Sequence, residues 1–113
     1  MRMWKVNPRY LCRKHLLGEH LEMHMFLGVI RTGNSLRGYI KNGLVEIHNI
    51  IKRHNELKAE MIRRGYNHKS NIPKSAEKLL WIEGKVDIKG NEIELKRRCK
   101  NWGNYETTYR NKN

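Results

Sequence analysis

The apolar positions along this chain recur at helical spacing. "NPRYLCRKHLLGEHLEMHMFLGVIR" opens with Asn7 as a candidate N-cap and Pro8 at the first helical position, and it closes at "TGN", where Gly33 can release a helix. One helix over about residues 8–31 is predicted. At ~100° per residue its apolar side chains fall almost all the way round. Leu16, Met23, Leu27 and Ile30 take one side, Leu17, Leu21 and Met25 the next, and Val29 lies beyond. A helix apolar all round is surrounded by other structure, so this one is expected at the centre. "LVEIHNIIKRHNELKAEMIRRGYN" places Leu44, Ile47, Ile51, His54, Leu57 and Met61 at steps of three and four, with Lys52, Arg53, Lys58, Arg63 and Arg64 largely off that stripe, and Gly65 ends it. On this apolar face His54 reads as a hydrogen-bonded core histidine. "TGNSLRGYIKNG" reads as a loop carrying Arg37 and Lys41, and "NHKSNIPKS" as a basic loop carrying Lys69. Ser75 is a candidate cap for a short helical stretch, "AEKLLW". A last helix runs through "DIKGNEIELKRRC", with Ile88, Leu95 and Cys99 on one side. The tail alternates Trp102, Tyr105 and Tyr109 with basic residues. Nothing sustains a two-residue alternation. The expectation is an all-α fold, one compact domain over residues 1–113 with three main helices.

Charge narrows the class of partner. The chain has 24 Lys+Arg against 11 Asp+Glu, a formal +13. An excess spread over so short a chain resists compaction and points to a polyanion, nucleic acid first. The start, "MRMWKVNPRY", has no apolar signal-peptide core, and no apolar run is long enough for a membrane span. Cys12 and Cys99 form no CxxC pair; they read as reduced thiols of a cytoplasmic protein, which excludes zinc ribbons and fingers.

"HLLGEHLEMH", residues 15–24, sets three histidines and two glutamates into this apolar helix. His20 and His24, four apart, share a face as metal ligands would. The glutamate that directly follows the first histidine in zinc proteases is absent, and His48, His54 and His68 are weak candidates for a third ligand. A site without metal is the favoured reading. His15 and Glu22 differ by only ~20° around a helix, with Gly18 and Phe26 beside them. A carboxylate in apolar surroundings costs several kcal/mol unless something positive reaches it. The chain's own N-terminus, folded back in extended form along the helix, offers that partner, and Gly18 leaves it room. An α-amine has a reference pKa of about 7.7–8.0 against about 10.4 for lysine, so near neutral pH it is a ready nucleophile for Schiff-base chemistry.

"KHLLGEHLEMH" together with "LKAEMIRRGYNHKS", and the opening "MRMW", resembles the pyrimidine dimer DNA glycosylase family, the phage endonuclease V type. The similarity covers about 70 residues. It implies a three-helix domain that acts on double-stranded DNA with no cofactor or metal, removing a base through a covalent imine and cutting the backbone at the abasic sugar by β-elimination. The resemblance makes the first residue's α-amine, here Met1, the nucleophile and Glu22 the acid/base, with His15 and Arg2 in support. Arg2, Arg37, Lys41, Lys69, Trp102, Tyr105 and Arg110 are the expected DNA contacts. Arg2 is large enough to block removal of Met1. Leu21 stands where the family commonly has an arginine. The substrate is expected to be a pyrimidine dimer or another damaged or modified base, the protein a monomer, and its place the cytoplasm, the host's if it is phage-encoded. The competing classes are a non-catalytic DNA-binding module on the same scaffold and a metal-dependent nuclease.

Overall fold

The computed structural model describes residues 1–103, so Tyr105, Tyr109 and Arg110 lie outside the described residues. Four α-helices follow in order: α1 (Arg13–Arg31), α2 (Arg37–Lys41), α3 (Ile50–Arg63) and α4 (Ile88–Arg98). The described residues contain no strand, so the fold is all-α as expected. The long helices α1 and α3 pack on each other and hold the core between them: Leu16, Met23, Phe26 and Leu27 from α1 and Ile50, Leu57 and Met61 from α3. Met3, Trp4 and Val6 of the N-terminal segment, with Leu95 of α4, complete it.

Helix α1 begins later than its pattern predicts. Asn7 caps a separate 3-10 turn, Pro8–Tyr10, by accepting the Arg9 N–H at 3.1 Å. Leu11 is then extended and fully buried, and the Cys12 sulfur caps α1 by accepting the His15 N–H. The break is stabilised from α3. The buried Arg64 guanidinium donates to the carbonyls of Pro8 at 3.0 Å and Leu11 at 2.7 Å. These are oxygens that a continuous helix would have used itself.

Three further expectations are corrected. The segment expected as loop contains α2; its first turn is helped by Ser35, whose hydroxyl accepts the Arg37 N–H, and by the burial of Leu36. The stretch around Ser75 is a 3-10 helix, Lys74–Leu79, preceded by Pro73 with no side-chain cap. In α4 the buried positions are Asn91 and Leu95, while Ile88 is exposed. Asp87 caps that helix by accepting the Gly90 N–H at 3.1 Å.

Buried charge is the largest departure from the pattern. Arg53 and Arg64, off the apolar stripe of α3, are both buried. Arg53 makes a two-pronged ion pair with Glu19 of α1, at 2.6 and 2.9 Å. The same Glu19 carboxylate accepts the backbone N–H of Trp4 at 3.0 Å and of Lys5 at 3.4 Å. One buried carboxylate thus joins α1, α3 and the N-terminal segment. Conversely α1 is not enclosed on all sides. Leu21, 59% exposed, and Met25 leave open the flank that carries Glu22.

Candidate active site

The first six residues run as an extended strap between α1 and α4. Its polar backbone is held from Arg2 to Lys5. The Met3 N–H donates to the Leu44 carbonyl at 2.7 Å, Glu19 takes the next two N–H groups, and the Asn91 amide of α4 donates to the carbonyls of Met3 and Trp4 at 3.2 and 2.8 Å. Lys5 sits at φ +59, a left-handed conformation that non-glycine residues seldom adopt. Its ammonium pairs with Glu46 at 2.7 Å, on the far side of the turn.

This strap delivers the start of the chain to Glu22. The Arg2 N–H donates to Glu22 Oε1 at 2.6 Å, and the Met1 α-amine lies 4.0 Å from the same oxygen. Both side chains are partly screened from water. The other carboxylate oxygen faces Gly18, where an added methyl would lie at 3.9 Å, an ordinary contact distance. A side chain at Gly18 would therefore fit, and no strap atom approaches closely enough to require the glycine. The α-amine, the Arg2 N–H and the Glu22 carboxylate come together at one place.

Arg2 is held by groups absent from the sequence reading. Its guanidinium donates twice to Asn91 Oδ1, at 3.2 and 2.5 Å, and stacks 4.2 Å above the Trp4 ring. Burial and the neighbouring Arg98 push its pKa down, against the pull of Glu94. His15 meets the edge of Trp4 at 6.1 Å between ring centres, and its Nδ1 lies 3.1 Å from the Cys12 sulfur. Burial, Lys14 and Arg98 lower its pKa, while Glu22 raises it. The two cysteines are not isolated from one another: Cys12, His15 and Cys99 bring their ligand atoms within 4.8 Å. Burial pushes the Cys99 thiol up.

A family model described as pyrimidine dimer DNA glycosylase matches residues 1–74. The chain belongs to the pyrimidine dimer DNA glycosylase family. No curated protein and no solved structure gives a significant match. The matched span contains the whole strap, Glu22, Gly18 and His15. It ends before α4, so Asn91, the residue that grips Arg2 and the strap, lies outside it.

The expected DNA contacts of this glycosylase-family chain divide in two. Arg37, Lys41 and Lys69 are exposed on α2 and on the loop after α3. Trp102 instead is half-buried and packs against Tyr10, 5.7 Å between ring centres. A large cleft among the described residues, lined in part by His48, Lys52 and Trp81, includes none of the strap or Glu22. Among the described residues no helix is long and apolar enough to cross a membrane.

The histidines of α1 behave otherwise than their spacing alone suggests. His20 and His24 are joined by His54 from α3 and His68 from the following loop, with neighbouring ring centres 4.6 to 5.5 Å apart. His48, also a candidate partner, is exposed and faces the large cleft. Burial lowers the pKa of His20 to about 4, and burial with His54 lowers those of His24 and His68.

Proposed function

We propose that this chain is a DNA glycosylase with AP-lyase activity, acting on pyrimidine dimers or another damaged base in double-stranded DNA. The Met1 α-amine is its nucleophile and Glu22 its acid/base. One observation carries the reading: the α-amine and the Arg2 N–H converge on one oxygen of Glu22, at 4.0 and 2.6 Å.

The chemistry that this pairing suits is imine formation at the sugar. Glu22 takes a proton from the terminal ammonium. The freed amine attacks C1′ of the damaged nucleotide, forming an N–C1′ bond, and the C1′–base bond breaks with its electron pair leaving on the base. Glu22 returns the proton to the ring oxygen as the sugar opens to the imine. The carboxylate then removes a proton from C2′, the C3′–O bond breaks, and the phosphate departs. Water hydrolyses the imine and restores the amine. Damaged or mispaired nucleotides leave the stack at least cost, which favours lesions at this open site. The hydrogen bond from Arg2 fixes the carboxylate's direction before the DNA arrives. The exposed Arg37, Lys41 and Lys69 supply phosphate contacts.

The test is duplex DNA carrying a defined cyclobutane dimer, incubated with the native chain and with Glu22→Gln. A positioned acid/base group is worth ~10²–10⁴ in rate. Base release should fall by at least that order while affinity for the duplex stays similar or rises, because a carboxylate near phosphates is gone. Undiminished base release by Glu22→Gln would remove Glu22 from the chemistry. Duplex binding with no base release by the native chain would make it a non-catalytic module.

A further inference from the structure

The hydrogen bonds inside the histidine cluster do not balance. A neutral imidazole has one N–H and one lone pair. His54 is fully buried and faces an acceptor with each nitrogen: Asn55 Oδ1 at 2.9 Å from Nδ1 and the Ser70 carbonyl at 3.1 Å from Nε2. His24 Nε2 approaches the same Ser70 carbonyl at 3.2 Å. His20 and His68 oppose their Nε2 atoms at 2.8 Å, and His68 Nδ1 is buried with no hydrogen-bond partner. Left neutral, His54 donates from Nε2 to the Ser70 carbonyl and can accept at Nδ1 from the Asn55 amide turned end for end; the group left unpaired is the buried His68 Nδ1.

A metal ion would give the crowded ring nitrogens a common partner. We infer that His20, His54 and His68 form a binding site for a first-row transition-metal dication of the zinc class, with His24 or water in the fourth position. One ring nitrogen from each of the three already lies within 4.8 Å of the other two. Zn–N bonds of 2.0–2.1 Å at tetrahedral angles set nitrogen pairs about 3.4 Å apart, so the rings need move only by an ångström or so. An all-imidazole set suits zinc, copper, nickel or iron rather than magnesium or calcium, which take oxygen. With metal on Nε2 of His54, its Nδ1–H keeps the Asn55 carbonyl, the outer hydrogen bond that metal-bound histidines ordinarily make.

The position of the ligands gives the ion a structural role. His20 belongs to α1, His54 to α3, and His68 to the loop that carries the exposed Lys69. Metal ties that basic loop to the two core helices. It lies apart from the strap residues and does not enter the imine chemistry.

The untagged chain, stripped with chelator, is titrated with zinc by calorimetry and then with cobalt by absorption. Equimolar zinc binding is expected. At zinc ~100-fold above the dissociation constant the thermal midpoint should rise by roughly 10 °C. The cobalt form should show tetrahedral d–d bands without a thiolate charge-transfer band. His68→Asn, a change on the half-buried loop, should weaken zinc binding at least ~10-fold while its metal-free melting stays close to that of the native chain. Cys99→Ser should bind zinc like the native chain. Failure of the native chain to bind zinc overturns the site, as does binding unchanged in His68→Asn. A thiolate band, or loss of binding in Cys99→Ser, would move the metal to Cys12, His15 and Cys99 and equally overturn it.

Discussion

Two glutamates three positions apart on one helix serve different ends, and their surroundings decide which. Glu22 sits on the open flank of α1 with one oxygen toward the chain's start. Glu19 is 1% exposed and accepts bonds from Arg53, Trp4 and Lys5. Burial pushes its carboxyl up against the pull of Arg53 and the two amides. Removing one partner of such a pair leaves the other charge buried and alone, which typically costs 3–5 kcal/mol. Glu19→Gln should therefore lower unfolding stability by about that amount in a denaturant titration, with base release lost only in proportion to the folded fraction. A variant as stable as the native chain would show that Arg53 finds water or another partner. The sequence pairs Glu22 with the N-terminus because a carboxylate on a largely apolar helix needs a positive partner. It says nothing of Glu19, since a carboxylate whose partners lie 14 to 34 residues away leaves no local signature.

At the scale of elements, the strap is only as good as what holds it. Its expected contact was α1 alone, yet α4 grips it through Asn91, which donates to two strap carbonyls and accepts twice from Arg2. Asn91→Ala leaves those buried carbonyls and the guanidinium without that partner, a loss of about 1–3 kcal/mol for each buried group left unpaired. The strap should then loosen. Base release should fall through a poorly placed amine, while the Glu22 carboxylate itself is untouched. Hydrogen exchange at the Met3 and Trp4 amides, faster in Asn91→Ala, separates this from global unfolding; unchanged exchange would mean that Glu19 and Leu44 hold the strap unaided. The element types of α1, α3 and α4 were legible in their periodicity, with the last turns marked by Gly33 and Gly65, both at positive φ. The start of α1 was not, because Arg64, 53 residues from Leu11, stabilises the break. His54 and His68 stood in the sequence only as weak candidate partners for His20 and His24, alongside His48; helical spacing could not choose among them, because His68 reaches His20 across 48 residues through the return of the loop after α3.

For the molecule as a whole, a formal charge of +13 makes association with DNA steep in salt. The logarithm of affinity should fall with that of salt by about 0.9 for each phosphate contacted. Lys69→Ala should reduce that slope by about one unit on any duplex. Leu21 is 59% exposed beside Glu22, so Leu21→Arg adds a charge without disturbing the core and should steepen the slope by about one unit. Slopes unmoved by either change would place the DNA on another face. The polyanion partner was readable from composition, because charge needs no fold to be counted. The path of the DNA was not, since it depends on which flank of α1 is left open. The most direct test of an amine nucleophile is a borohydride trap on abasic duplex, comparing the chain that begins at Met1 with one bearing an uncleaved N-terminal extension. The native chain should be fixed covalently to DNA, with the adduct mapping to the Met1 peptide, and the extended chain should not. Equal trapping of both, with the adduct on a lysine, would contradict the assignment of the nucleophile to the chain's start.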